Sequence, residues 1–379
     1  MRKFGFMLLS LVFLAFAVSG CGPSNELKIG VSAPLTGDIS ALGQSTKNAA
    51  LLAQEEINAA GGIKLGDKSY TVKLIIEDDE NKPESTATVF QKLINQDKVL
   101  AIIGSQSSKC SNAGAPIAES AKVAQISPWS TNPNVTKDRN YVFRACFIDP
   151  FQGKAVAIFA KDKLNAKTAA VLYDVASDYN KGIAEVFRDE FTKAGGQIVA
   201  FETYMTKDTD FSAQLTKIKG TNPDILFLPN YFNEVPLQIQ QALKLGLTAK
   251  ILGSDGWDNP ELIKMGGSAM EGTYFSNHYS PDIDRSASKD FIAKYQKKYN
   301  IMPDAAAALT YDSCYLLFKA IEKAGKADPT AIRDAIAATK NFSGVTGDIS
   351  YDGSGDPVKG AVIIKIENGK FVFDSAVNP

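Results

Sequence analysis

The sequence has few of the residues that catalysis and metal binding usually require. His278 is the only histidine, and the four cysteines are Cys21, Cys110, Cys146 and Cys314. Without a Cys/His cluster a zinc site lacks its ligands, and a nucleophile would lack an imidazole base. Walker loops, G-x-G-x-x-G fingerprints and G-x-S-x-G elbows are also missing. The sequence therefore argues against an enzyme and predicts neither a metal nor a cofactor.

An excess of either charge is missing as well. The 41 Lys and Arg residues nearly balance the 42 Asp and Glu residues, which gives a formal net charge of −1. Because no basic tract or stripe occurs, we expect no nucleic-acid partner. Beyond Cys21 only three cysteines follow, so the chain is not built on a disulfide framework. One disulfide between two of Cys110, Cys146 and Cys314 is possible, and the sequence does not indicate which pair would form it.

The N-terminus has the layout of a secretory signal. Two basic residues precede an apolar run over residues 4–18, which is too short to be a convincing membrane span. The run ends in V-S-G-C at Cys21, which resembles the bacterial lipobox. We expect residues 1–20 to be a signal peptide, Cys21 to be lipidated and residues 21–26 to form a tether. The alternative is ordinary signal cleavage nearby. The protein is then expected in the periplasm or on the outer face of the cell membrane, held by lipid alone.

Strands and helices alternate along the rest of the chain. Short apolar runs at residues 27–31, 70–76 and 99–103 are each followed by a polar loop and a stretch of helical periodicity. This alternation breaks near residue 146 and begins again at residue 169. It predicts an α/β fold with two Rossmann-like lobes and parallel-rich sheets. Predicted crossings divide the chain into lobe 1 (27–147 plus 279–346) and lobe 2 (148–278 plus 347–379), joined by a three-strand hinge.

Ligands of open α/β sheets bind beyond the carboxyl ends of the strands. The loops predicted at those ends carry Ser107, Ser108, Trp129, Ser130 and Thr131 in the first lobe and Tyr179, Tyr231 and Asp255 in the second. A helix that begins at Ser107 or Ser108 adds its positive end to the first set. Hydroxyls and a helix N-terminus on one wall, facing aromatics and a carboxylate on the other, predict a site for a zwitterion.

The same loops resemble those of a known family. P-L-T-G at Pro34, I-N-A-A-G-G-I, I-I-G-S-Q-S-S, I-S-P-W-S-T-N-P and G-S-D-G-W follow in the order and spacing of the periplasmic leucine/isoleucine/valine-binding proteins. These are type I substrate-binding proteins of branched-chain amino acid ABC transporters. The resemblance covers nearly all of the mature chain. It implies a Venus-flytrap fold that closes on an amino acid and delivers it to permease subunits; we also expect a monomer.

The resemblance further implies a role for individual residues. Ser108 matches the hydroxyl that binds the ligand carboxylate, and Thr131 matches a second hydroxyl ligand. The backbone carbonyl of Trp129 and the carboxylate of Asp255 match the acceptors for the ammonium group. The two aromatics of the second lobe match Tyr179 and Tyr231.

The side-chain end of the pocket is less well defined by the resemblance. Leu42 falls where some relatives place an aromatic residue, and Trp129 is bulkier than the residue of some amino-acid binders. Ser107, Leu42 and Trp257 are further pocket-lining candidates, although Trp257 also fits a packing role. The expected ligand is an aliphatic or branched-chain amino acid. The alternative is another small molecule, such as an amide or an aromatic acid, taken up or sensed by the same fold. Asp255 argues against a purely anionic ligand, because two carboxylates repel each other.

Overall fold

The computed structural model describes residues 25–378, so the predicted signal peptide and Cys21 lie outside the described residues. Six strands form the first sheet: β1 (Glu26–Ala33), β2 (Ile63–Leu65), β3 (Lys68–Asp78), β4 (Ala101–Ile103), β5 (Ala124–Ser127) and β6 (Val142–Arg144). Their order is β2-β3-β1-β4-β5-β6, and all pairs are parallel except β2 with β3. The carboxyl ends of β1, β4 and β5 therefore meet at one edge.

A second sheet repeats this plan with seven strands: β7 (Thr168–Asp174), β8 (Gln197–Tyr204), β9 (Ile225–Leu228), β10 (Lys250–Gly253), β11 (Tyr274–Asn277), β14 (Ala361–Glu367) and β15 (Lys370–Val377). Their order is β15-β14-β11-β10-β9-β7-β8. The strands from β7 to β11 are parallel, whereas β14 and β15 add an antiparallel hairpin at one edge. The two mixed, parallel-rich sheets agree with the predicted architecture.

Helices cover both sheets. The first half carries α1 (Ser40–Ala59), α2 (Pro83–Asn95) and α3 (Ser108–Ala121), and the second carries α4 (Asp149–Ile158), α5 (Asp178–Lys193), α6 (Ser212–Gly220), α7 (Val235–Lys244) and α8 (Pro260–Gly266). Three later helices are α9 (Ser286–Tyr299), α10 (Ala305–Ala324) and α11 (Pro329–Ala337). The chain thus returns to the first half, where α10 packs on α1 and is buried along most of its length. Between Asn25 and Asn378, no helix has the length and apolarity needed to cross a membrane.

The chain passes between the two sheets three times. It does so between β6 and α4, after β11, and between α11 and β14. In the third passage the strands β12 (Phe342–Gly344) and β13 (Gly347–Ile349) form a hairpin. The turn of this hairpin is held by Asp312 of α10, which accepts hydrogen bonds from the N–H groups of Val345 (2.6 Å) and Thr346 (2.9 Å).

Arg144 joins the first passage to the third. Its side chain is fully buried at the end of β6, and Nε donates to Asp356 Oδ1 at 2.6 Å. The guanidinium also donates to the carbonyl oxygens of Ser130 and Asn132 and to the Thr136 hydroxyl. Because a buried guanidinium needs an acceptor for each of its donors, Arg144 fixes the backbone of the loop after β5.

We predict that Arg144→Met lowers the free energy of unfolding by about 3–5 kcal/mol, because it strands the partners of a buried charge. Urea denaturation monitored by circular dichroism measures this. Lys289→Met is the control: Lys289 bonds Asp284 at 2.6 Å with side chains 62% and 91% exposed, so the loss should stay below about 1 kcal/mol. Equal losses in the two variants would contradict the role given to Arg144.

Candidate functional site

The first wall of the site is the start of α3. Ser107 precedes the helix with an extended backbone, but its hydroxyl makes no capping bond and donates instead to Asn81 Oδ1 at 2.6 Å. Ser108 is the first helical residue, and its Oγ accepts a hydrogen bond from the N–H of Asn132 at 3.3 Å. Of the two serines, Ser108 is therefore the one joined to the loop after β5, and the positive end of the helix lies beside it.

The loop after β5 contributes Trp129, Ser130 and Thr131, with side chains in different environments. The Ser130 hydroxyl donates to the carbonyl of Gln106 at 2.9 Å and lies 2.6 Å from Ser111 Oγ, so it is engaged inside the first half. The Thr131 hydroxyl is buried and has no hydrogen-bond partner among the described residues. The structure thus separates the adjacent hydroxyls, leaving Thr131 available to a ligand and Ser130 occupied.

The second wall begins with Tyr179, which lies in the first turn of α5. The sequence predicted a loop at Tyr179, but Ser177 caps a helix that begins at Asp178. The Tyr179 hydroxyl lies 2.6 Å from Asp255 Oδ1 and accepts a bond from the N–H of Gly256 at 3.0 Å. Burial, with the charge of Asp255, raises the pKa of Tyr179 well above its ordinary value, so the phenol remains a donor.

Asp255 is the centre of this wall. Its Oδ1 accepts from Tyr179 and also from Gln152 Nε2 at 2.7 Å, while Oδ2 lies 2.9 Å from His278 Nε2. Burial lowers the pKa of His278, although the Asp255 carboxylate opposes that shift, so we assign a neutral ring that donates through Nε2. Gln152 and His278 were missed as site residues. The position of the single histidine directly after a strand end was the one available signal.

Asp149 is a second carboxyl group that sequence reasoning missed. It opens α4, its backbone N–H donates to the carbonyl of Thr131 at 2.9 Å, and its side chain is buried. Neither carboxyl oxygen has a hydrogen-bond partner within residues 25–378. Burial raises the pKa of Asp149 to about 7; the nearby Thr131 hydroxyl opposes that shift, and the charge of Asp255 adds to it. A Cβ atom on Gly182 of α5 would lie 3.3 Å from Asp149 Oδ2 and 3.1 Å from Asn132 Nδ2 of the first half, so this carboxyl lies at the seam between the two halves.

The two walls touch in this structure. The side-chain amide of Asn112 donates to Asp178 Oδ2 at 2.9 Å, and that of Asn132 donates to the carbonyl of Asp178 at 3.0 Å. The ring of Trp129 meets that of Tyr231 at a centroid distance of 6.4 Å and an angle of 61°. The site is therefore enclosed between the halves.

The remaining candidates lie deeper. Leu42 is fully buried on α1, in a core cluster that also contains Trp129 and against which Tyr231 packs. Trp257 is fully buried, donates from Nε1 to the carbonyl of Leu228 at 3.0 Å and packs against Phe275. Trp257 is therefore a core residue of the second half, and the structure does not bring it to the enclosed seam.

The chemistry available at the seam is binding. Cys110, Cys146 and Cys314 are all free and buried, and burial raises the pKa of Cys110 to about 11 and that of Cys146 to about 12. In the described part of the chain, no group of three or more His, Cys, Asp or Glu residues is arranged to hold a metal ion. The Thr131 hydroxyl and the N-terminus of α3 belong to one wall, and the Asp255 carboxyl group and two tyrosines belong to the other, which suits a ligand with separated opposite charges.

Comparisons with known proteins extend over almost the whole chain. The sequence profile of the periplasmic binding protein family matches residues 26–370. A leucine-, isoleucine-, valine-, threonine- and alanine-binding protein of Pseudomonas aeruginosa is 31% identical over 363 residues, which covers 93% of this chain and 94% of the relative. The crystal structure of a leucine-binding protein from Thermotoga maritima superposes with a TM-score of 0.89 at 41% identity, covering 93% of this chain and 99% of that one. The branched-chain amino acid transporter substrate-binding protein of Streptococcus pneumoniae, in complex with isoleucine, superposes with a TM-score of 0.88 at 36% identity. The match covers 93% of this chain and 100% of that one.

We predict that Asp149→Asn changes how the stability of the ligand-free protein depends on pH. The ordinary pKa of 3.8 rises to about 7 on folding, so the folded state holds a proton that the unfolded state releases. Wild-type stability should therefore fall as pH rises from about 4 to 7, by up to about 4 kcal/mol from this group.

Other buried carboxyls shift in the same direction, among them Asp304, with a pKa of about 7, and Asp258, with one of about 6. The informative quantity is therefore the difference between Asp149→Asn and wild type in urea denaturation at several pH values. Above about pH 5, the variant should become increasingly more stable than wild type as the pH rises. A constant difference from pH 4 to 8 would contradict the prediction.

Proposed function

This chain belongs to the leucine/isoleucine/valine-binding family of periplasmic binding proteins, and from that premise we propose that it captures one amino acid with an aliphatic or branched side chain and delivers it to an ABC permease. Membership confirms the predicted type I periplasmic binding protein fold, and the prediction of a protein without catalytic activity, since family members bind substrates. The proposal is carried by the buried Asp255 carboxylate of the second wall, together with the N-terminus of α3 in the first wall.

The first wall would bind the ligand carboxylate. The hydroxyl of Thr131 is buried and unused among the described residues, and Ser108 starts a helix whose N-cap residue makes no side-chain capping bond. Backbone N–H groups at such an end attract an anion. Ser130 would support this wall from inside, since its hydroxyl is held by Gln106.

The second wall would bind the ligand ammonium. Asp255 carries the charge, Tyr179 fixes its orientation, and the ring of Tyr231 lies 5.1 Å from that of Tyr179. The carbonyl of Trp129 would accept a further hydrogen bond. Asp149 would assist, because an arriving cation favours its ionised form and supplies the partner that its buried oxygens lack.

Closure would bring these walls together. We infer that residues 27–147 plus 279–346 and residues 148–278 plus 347–379 move as two lobes about the three passages. The hairpin of β12 and β13 spans the third boundary, so that passage bends around a paired element rather than at one residue. We propose a monomer that binds one ligand between its lobes.

The anchor completes the proposal. Residues 1–20 would direct export, Cys21 would carry the lipid, and residues 21–26 would let the binding lobes reach a permease in the same membrane. The working position is the periplasm or the outer face of the cell membrane. The rival ligand class, an amide or an aromatic acid, uses the same walls and differs in whether it brings a positive charge to Asp255.

We predict that Asp255→Asn weakens amino-acid binding about 100-fold or more, because the ammonium loses its charged partner while the hydrogen-bonding shape is kept. Calorimetry on protein stripped of ligand by unfolding and refolding gives the affinities. Asp284→Asn, which removes a carboxylate that is 91% exposed, should leave the affinity unchanged. Unchanged affinity in Asp255→Asn would favour the uncharged rival ligands, and no heat from any standard amino acid would refute the substrate class.

We predict that Cys21→Ala abolishes lipidation. Metabolic labelling of expressing bacteria with a fatty-acid probe should mark the wild-type protein and leave the variant unmarked and recovered without detergent. Cys110→Ala is the matched control, because that thiol is buried and free in the folded protein. Equal labelling of wild type and Cys21→Ala would show that the lipid, if any, is attached elsewhere.

A further inference from the structure

The chain has two tryptophans, and their indole N–H groups are in different situations. Trp257 is fully buried, and its Nε1 donates to the carbonyl of Leu228 at 3.0 Å. Trp129 is only 4% exposed, yet its Nε1 has no acceptor in the part of the chain that the structure describes. An indole nitrogen can only donate, and a buried donor without an acceptor is unfavourable. A ligand bound between the two halves can supply the acceptor that Trp129 lacks among the described residues.

The indole of Trp129 lies in the enclosed seam. Its ring approaches Tyr231 of the opposite half edge-on, and Tyr231 lies beside Tyr179, whose hydroxyl holds Asp255. The neighbouring Ser130 turns into the first half, away from the seam. The Trp129 indole therefore lies where the two halves meet.

The other ends of an amino acid already have partners, an assignment that rests on the proposed function. The carboxylate takes Ser108, Thr131 and the helix end, and the ammonium takes Asp255. The part of the ligand left for Trp129 is its side chain, and a hydroxyl oxygen there can accept from the indole N–H. Because the indole is large, the side chain that fits beside it is short.

We propose that Trp129 determines specificity by donating its indole N–H to an oxygen on the ligand side chain. The pocket then prefers a short hydroxyl amino acid to the aliphatic one of the same shape. Threonine and valine form this pair, since a hydroxyl in one replaces a methyl in the other. A site built to hydrogen-bond a ligand oxygen discriminates strongly against the analogue without it, whereas an apolar pocket barely separates the two.

The test compares the affinities for threonine and valine in wild type and in Trp129→Phe, which keeps an aromatic ring and removes the N–H. Wild type should bind threonine about tenfold or more tightly than valine. The variant should bind valine within about threefold of wild type and should lose the preference for threonine. A threonine-to-valine ratio that is the same in both proteins overturns the proposal.

A second measurement uses the unaltered protein, in case the variant does not fold. Labelling indole nitrogens with ¹⁵N gives one resonance for each of the two tryptophans, with Trp257 as the internal reference. Threonine should move the Trp129 N–H resonance downfield and slow its exchange with solvent, and valine should do neither. Identical shifts with both ligands overturn the proposal, and so does a Trp129 resonance that neither ligand moves.

The two proposals fail in different ways. If valine and threonine bind with a ratio that Trp129→Phe leaves unchanged, the amino-acid function stands and only the role of Trp129 is refuted. If no amino acid binds to stripped wild-type protein, both proposals are refuted. Asp255→Asn then cannot be compared with wild type, because wild type has no measurable affinity.

Discussion

The burial of a single negative charge constrains the rest of this molecule. A carboxylate removed from water is unfavourable unless hydrogen bonds or an opposite charge compensate it. Asp255 is 1% exposed, and three neutral donors surround it: Tyr179, Gln152 and His278. Neutral donors orient the carboxyl group but bring no positive charge to it. Under the proposed function, the ligand ammonium would supply that charge.

Two of the three donors also connect Asp255 to the passages between the halves. Gln152 belongs to α4, which begins directly after the first passage, and His278 follows β11 at the start of the second. The His278 ring stacks on Phe147 of the first passage at a centroid distance of 3.7 Å. A cation that reorients Asp255 therefore acts on both of these passages at once. A change at Asp255 would therefore reach the lobe movement through direct contacts, without further residues in between.

Much of the architecture was predictable, because strand ends and helix starts are local in sequence. The two parallel-rich sheets followed from alternating patterns, and the rule about carboxyl ends placed Ser108, Thr131 and Asp255 near one another. Gln152 and Asp149 were missed because their environment depends on residues more than 70 positions away or on the seam itself. Single-sequence patterns carry little information about such long-range contacts. Tyr179 was predicted in a loop, although it lies in the first turn of α5, because the capping role of Ser177 was overlooked.

The choice among neighbouring hydroxyls shows how strongly the site depends on register. Along the loop after β5, the Ser130 hydroxyl turns inward to Gln106, whereas Thr131 turns to the seam. At the start of α3, the Ser107 hydroxyl bonds Asn81, whereas Ser108 contacts the loop after β5. Successive side chains of an extended segment point to opposite sides, so a shift by one residue would exchange these roles. Arg144 prevents such a shift, because its guanidinium binds the carbonyls on both sides of Thr131. The buried arginine behind this loop is thus what makes Thr131, rather than Ser130, the residue that a carboxylate would meet.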